Sequence, residues 1–247
     1  MSFVVTVYVP EAIVMASDSR QFITVRRHGA NGEEQRPVET INSDFVYKTF
    51  LLERRGIGIS VFGESVLGGA SFESHLRRFE EKNTPVNQDV EAISEKLMKY
   101  FQDRFRDVNI SFHVAGFRKE SGISVPHVYN CQVLKTEISR LNVAQSSSKV
   151  VNGCSWGGQV DIIAALMSPV QIASRDGTTV TPVKMPIIWD AMSVQDAIDF
   201  AIYAVRTTID TIRFQARPKS VGGPIDVLLL TPEKAHWIQR KQFRGST

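Results

Sequence analysis

The stretch FVVTVYVPEAIVMASDSR, residues 3–20, decides the fold that the sequence predicts. Two apolar runs rich in β-branched residues, 3–9 and 12–17, meet at a Pro-Glu pair, which is typical of a hairpin packed into a core. Ser2 precedes the first run, and Asp18 opens the charged cluster that ends the second. We therefore expect the hairpin to bring Asp18 back beside Ser2.

Ser2 has two groups that catalysis can use once Met1 is removed, and aminopeptidases remove Met readily before a residue as small as serine. The new α-amine would have an unperturbed pKa of about 7.7–8.0, so it can accept a proton near neutral pH. Nucleophile and base would then lie on one residue, the arrangement of an N-terminal nucleophile. The plain alternative is a buried first strand without any chemical role.

Length and composition predict one soluble domain spanning residues 1–247. The chain is 43% hydrophobic and 22% charged, enough for one large core. No linker-like change of composition divides it. The net charge is +3 and the basic residues are scattered, so we expect no nucleic-acid partner.

Several further features of the sequence indicate the cellular compartment of the protein and which ligands to expect. Two cysteines without regular spacing, Cys131 and Cys154, favour a reducing compartment. No signal peptide and no apolar run of roughly 18–20 residues is present, so we expect a cytoplasmic protein without a membrane partner. The five histidines show no metal-ligand spacing, and we expect neither metal nor cofactor.

The order of predicted elements is strands, two helices, strands, two helices and strands. Strands are predicted over residues 22–27, 45–52, 57–62, 110–117, 125–134, 137–142, 149–153, 225–230 and 236–239. Helices are predicted over residues 64–81, 159–167 and 193–213, and in a segment capped near Asn87. This order predicts an α+β fold of two stacked antiparallel sheets with helices covering both outer faces.

Two later strands contain residues of chemical interest. Lys48 lies in the middle of the apolar strand predicted over residues 45–52, and a buried lysine shifts its pKa readily. Ser60 and Gly63 belong to a following run of small residues and its turn, where a substrate backbone can approach closely.

These residues together resemble the proteasome β-type subunits, and most of all the bacterial proteasome-related peptidases of the HslV and Anbu kind. Ser2 matches the family nucleophile, Asp18 its acid, Arg20 the charged residue two further, and Lys48 the family lysine. The string Ala-Ser-Asp-Ser-Arg at residues 16–20 is similar to the Anbu motif.

The resemblance implies a four-layer αββα N-terminal nucleophile (Ntn) hydrolase sandwich and assembly into a ring or ring-like stack of identical subunits. It also implies hydrolysis of peptide or protein substrates through an acyl-enzyme on Ser2, assisted by Asp18 and Lys48. By family position, the amide of Ser60 would meet the oxyanion.

Further site residues follow from the same resemblance. The substrate pocket would include Gln21, Val46 and Gly58, with Phe50 and Phe62, and would suit a bulky uncharged side chain. Arg20 would have a structural role, and Cys154 or Ser155 would support the site. Whether an ATPase unfoldase docks on the assembly stays open.

Two other functions remain open at this point. One is a small-molecule amidase or acylase of the Ntn type. The other is a catalytically silent subunit that only builds a ring. Loss of Met1 would favour an enzyme, and retention of Met1 would favour the scaffold.

Overall fold

The computed structural model describes residues 2–25, 37–64, 66–82, 89–168, 172–173, 175–177, 179–180 and 186–243. Over these residues the protein is a mixed α+β structure built on two five-stranded sheets, in which neighbouring strands run antiparallel. Three two-stranded sheets, four α-helices and two short 3-10 helices complete the described elements.

In chain order, the described strands are β1 (Phe3–Val9), β2 (Ala12–Ser17), β3 (Gln21–Val25), β4 (Val38–Ser43), β5 (Thr49–Leu52), β6 (Ile57–Gly63), β7 (Val66–Leu67), β8 (Ala70–Ser71), β9 (Ile110–Glu120), β10 (Ile123–Gln132), β11 (Glu137–Arg140), β12 (Gly153–Gly158), β13 (Ile172–Ala173), β14 (Thr179–Val180), β15 (Asp226–Leu230) and β16 (Ala235–Gln239). The α-helices are α1 (Phe72–Lys82), α2 (Val90–Phe105), α3 (Asp161–Met167) and α4 (Val194–Phe214). None of these helices is both long and apolar enough to span a membrane.

The predicted hairpin is confirmed as β1 and β2, and every residue of both strands is buried. The two strands are in the middle of the first sheet, whose order is β12-β1-β2-β15-β16. Val4 pairs with Ser17, and the amide of Asp18 donates to the carbonyl of Phe3 at 3.2 Å. The pairing therefore returns Asp18 to the start of β1, as predicted.

The second sheet has the order β11-β10-β9-β6-β5 and packs against the first through a buried apolar cluster. This cluster joins Tyr8, Ile13 and Met15 of the first sheet to Ala115 and Val128 of the second. The outward-facing side chains of the first sheet pack with α3 and α4, and those of the second pack with α1 and α2.

The helix ends follow local sequence signals. Ser193 and Asp196 form a capping box at the start of α4, with Asp196 N donating to Ser193 Oγ at 3.1 Å. At α2 the Asp89 carboxylate accepts from the amide of Ala92 at 2.9 Å. The predicted cap near Asn87 lies outside the described residues.

Three predicted elements are wrong in their bounds. The strand predicted over residues 45–52 begins only at Thr49, so Lys48 precedes this strand and does not lie in its middle. The helix predicted from residue 64 begins only at Phe72, because Gly68 and Gly69 adopt positive φ values of 55° and 77° in a turn between β7 and β8. The strand predicted over residues 149–153 lies later, at β12, and Val150 forms only an isolated bridge with Val143.

Candidate active site

The Asp18 carboxylate is the centre of the candidate site, fully buried and held by four donors. Its Oδ1 accepts from the amide of Phe3 at 2.9 Å and from the Lys48 ammonium at 2.6 Å. Its Oδ2 accepts from the amides of Arg20 at 3.1 Å and Gly222 at 3.0 Å. One carboxylate therefore holds the lysine against the first amide of β1.

Lys48 lies immediately before β5, with its side chain 2% exposed. Its carbonyl accepts from the amide of Val61 at 2.8 Å, which fixes its backbone to β6. Burial lowers the pKa of the Lys48 ammonium, and the neighbouring Asp18 carboxylate opposes that shift. A lysine in this environment gives up its proton more readily than a solvated one.

Ser2 is 3% exposed and its backbone is tied to the turn after β12. Its carbonyl oxygen accepts from the amide of Gln159 at 2.7 Å. Gly158 has φ +89°, and a Cβ at this position would lie 1.8 Å from the Ser2 carbonyl oxygen. Only glycine therefore allows this approach of the β12 backbone to Ser2.

Replacing Gly158 with alanine is expected to destabilise the protein by about 2–5 kcal/mol, combining positive-φ strain with overpacking against Ser2. Gly122, with φ +86° and no atom within 4 Å of an added Cβ, is the matched control for backbone strain alone. For Gly122→Ala we expect a loss of about 1–2 kcal/mol. Urea unfolding measures both, and equal losses would contradict the close approach at Ser2.

Ser2 and Lys48 line one cavity of about 200 Å³. Val46, predicted as a pocket wall, lines it as well, together with Phe62 and Gly63. The nucleophile candidate, the buried lysine and an apolar wall therefore meet at one place.

Ser60, predicted to offer its amide to an oxyanion, does not line this cavity. The amide of Val61 donates towards Lys48 on the β5 side of β6, and that of Glu64 donates to Asn109 on the β9 side. Because successive amides of a strand point to opposite sides, the amide of Ser60 faces β9. The geometry therefore corrects Ser60 to a structural position.

The same alternation places the amide of Gly63 on the side of Lys48, where Gly63 lines the cavity. The side chain of Ser60 has a different role, because its hydroxyl is 2.9 Å from Thr49 Oγ1. Thr49 Oγ1 in turn donates to Ser17 Oγ at 2.9 Å, so three buried hydroxyls link the two sheets.

Gln21 and Gly58, two further predicted pocket residues, do not line the Ser2 cavity. Gln21 lies on β3, where its side-chain oxygen accepts from Asn42 at 2.6 Å. A Cβ on Gly58 would lie 2.4 Å from the Met15 sulfur and 3.1 Å from Leu228, inside the core between the sheets. Phe50, named with them, is buried in the core beside α1, whereas Phe62 does border the cavity.

Cys154 and Ser155, predicted to support the site, also lie away from it. Ser155 pairs with Thr6, four residues along β1 from Ser2 and hence roughly 13 Å away. Its hydroxyl is 3.2 Å from the Tyr8 hydroxyl, and burial raises the pKa of the Cys154 thiol to about 12. Both line a separate cavity of about 690 Å³.

Arg20 is held in place by Asp44 and by the backbone of Lys219. Its guanidinium donates to both carboxylate oxygens of Asp44, at 2.6 and 2.9 Å, and to the carbonyl of Lys219 at 3.1 Å. A Cβ on Gly222 would lie 2.6 Å from Arg20 Cζ. The lack of a side chain on Gly222 therefore makes room for Arg20, while the amide of Gly222 binds Asp18.

Phe243 also lines the Ser2 cavity. The sequence alone does not predict the positions of Gly158, Gly222 and Phe243 at this site. The two glycines give a weak signal, since each lies in a Gly-Gly pair, whereas Phe243 gives none. Among the described residues, no group of three or more histidine, cysteine, aspartate or glutamate side chains is placed to hold a metal ion.

Comparison with known proteins adds no relative to this picture. No model of a known protein family matches the chain, and no curated protein is significantly similar to it.

Proposed function

We propose that the protein is a proteasome-like peptidase of the Ntn hydrolase class, with Ser2 as the nucleophile after removal of Met1. The proposal includes the four-layer αββα arrangement, which the packing of two sheets against each other and of helices on their outer faces supports. It also includes a ring-like assembly of identical subunits, as the resemblance to HslV and Anbu peptidases implies.

A single observation supports the proposal most strongly. Asp18 Oδ1 binds both the Lys48 ammonium and the amide of Phe3, the residue directly after Ser2. Ser2 and Lys48 also line the same cavity. An N-terminal hydroxyl is activated by the adjacent α-amine, and a buried lysine fixed beside it can add to that activation.

In the proposed reaction, Ser2 Oγ attacks the carbonyl carbon of the peptide bond while its proton passes to the free α-amine. The protonated amine then donates to the leaving nitrogen, the C–N bond breaks, and an ester remains on Ser2. Water attacks this ester, returns a proton to Ser2 Oγ and releases the acid. Lys48, held as a cation by Asp18, stabilises the developing negative charge on Oγ.

The oxyanion of each tetrahedral intermediate would be met by the amide of Gly63. This amide points to the cavity side of β6, and a preorganised backbone donor contributes on the order of 3 kcal/mol to such a transition state. Gly63 therefore takes the role that the sequence predicts for Ser60.

Covalent labelling followed by mass spectrometry tests the proposal. We expect the intact protein purified from cells to have lost Met1, and a peptidyl β-lactone to add one probe mass, located on Ser2 by fragmentation. The Ser2→Ala variant, which should still lose Met1, is expected to stay unlabelled.

Retention of Met1, or labelling of another residue, would overturn the proposal and favour the silent ring-forming subunit. To distinguish a peptidase from a small-molecule amidase, sedimentation gives the size of the assembly. A large complex is expected for the peptidase, because an enclosed chamber needs many subunits.

A further inference from the structure

We propose that Phe243, in the segment that follows β16, closes one side of the Ser2 cavity and determines specificity for a large apolar substrate side chain. This inference rests on the proposed function, since it names the substrate side chain that the Ser2 cavity would take. The side chain meant is that of the residue whose carbonyl Ser2 attacks.

Phe243 borders the cavity that holds Ser2 and Lys48, although it lies about 240 positions away in sequence. Its ring meets the ring of Tyr47 edge-on, with centroids 5.6 Å apart and planes at 82°. The residue is nevertheless 71% exposed. An aromatic ring held at a cavity mouth with most of its surface uncovered has apolar area available for a ligand.

The segment is anchored two residues earlier by a buried ion pair. The Lys241 amide donates to Asp226 Oδ1 at 2.8 Å, and the Lys241 ammonium donates to Asp226 Oδ2. The ammonium also lies 4.1 Å from the centroid of the Tyr47 ring, and the Tyr47 hydroxyl donates to the Lys241 carbonyl at 3.4 Å. The position of Phe243 is therefore set by the packed structure around Asp226 and Tyr47.

The other walls of the cavity indicate what Phe243 would contact. Val46, Phe62 and Phe72 supply apolar surface, and a volume of about 200 Å³ takes one large side chain. Two acidic residues reach the lining too: the Glu73 carboxylate is paired with Arg77 at 2.7 Å, and Glu64, directly after β6, is exposed to solvent. The walls therefore favour leucine or phenylalanine over lysine at this position of the substrate.

The test compares fluorogenic peptides that differ only in the residue before the cleaved bond: phenylalanine, leucine, alanine or lysine. Wild-type protein is expected to prefer phenylalanine and leucine, and Phe243→Ala to lower their kcat/KM about tenfold relative to the alanine peptide. Phe214→Ala is the matched control, because Phe214 at the end of α4 is 81% exposed and does not line the cavity. It should leave all ratios unchanged.

A second measurement keeps the inference separate from the proposed chemistry. Peptides ending in phenylalanine or alanine are titrated into the Ser2→Ala protein by calorimetry, where no hydrolysis is needed. We expect the phenylalanine peptide to bind more tightly, and this preference to be lost in Ser2→Ala/Phe243→Ala. That result supports Phe243 as a wall of the cavity even if turnover does not depend on Ser2. Unchanged selectivity on removing Phe243, or a preference for lysine, would overturn it.

Discussion

Peptide turnover is expected to fall by about four orders of magnitude or more when Ser2 is replaced by alanine, the scale seen when a covalent nucleophile is removed. The substitution affects only the hydroxyl, because alanine keeps the α-amine and the small side chain that allows Met1 to be removed. Only the attacking oxygen is lost. Initial rates with short fluorogenic peptides measure the change.

Two variants decide whether that loss is specific to the hydroxyl of Ser2. Ser2→Thr keeps a hydroxyl on the amine-bearing residue and is expected to retain measurable turnover. Ser155→Ala removes a hydroxyl from β12 in the same sheet, where its neighbour is Tyr8, and should leave turnover within about twofold of wild type. Wild-type rates in Ser2→Ala would refute the mechanism.

The opening hairpin and the position of Asp18 were predictable because strand pairing is local. Residues 3–9 and 12–17 pair across a two-residue turn, and the short turn determines which residues face each other. The final hairpin, β15 and β16, and the long helix α4 follow from equally local signals. The start of α1 could not be predicted in this way. The apolar residues over 64–72 also fit a helix, and only Gly68 and Gly69 interrupt that pattern.

The walls of the cavity depend on contacts between distant elements, which a single sequence does not encode locally. Lys48 was found because a charge within an apolar run is unusual. The sequence wrongly assigns Gly58 to the substrate pocket, because the surroundings of Gly58 depend on Met15 and Leu228 of the other sheet. The sequence wrongly assigns the oxyanion donor to Ser60, because the direction of the Ser60 amide depends on which strands flank β6. Phe243 reaches the cavity only through the anchoring of Lys241.

Replacing Asp18 with alanine is expected to reduce the free energy of unfolding by about 3–5 kcal/mol, the cost of leaving a buried charge without its partner. Three backbone amides and the Lys48 ammonium would lose their acceptor in a site where Asp18 is fully buried. Lys48 can shed part of this cost by releasing its proton, since burial already lowers its pKa.

Lys48→Met is expected to cost less stability than Asp18→Ala, because the carboxylate keeps the three amides of Phe3, Arg20 and Gly222. Its effect on peptide turnover should nevertheless be severe, which separates the catalytic contribution of the pair from its structural one. Urea unfolding at pH 7 of both single variants and the double variant measures the coupling between the two side chains.

Asp44→Ala is the matched control for these measurements, because it removes the carboxylate of a more exposed pair. The Arg20 and Asp44 side chains are 19% and 37% exposed, so the expected loss is only about 0–1 kcal/mol. A loss for Asp18→Ala no larger than that for Asp44→Ala would show that the buried carboxylate does not organise the start of β1. Lys48 would then lack the fixed position beside Ser2 that its proposed role requires.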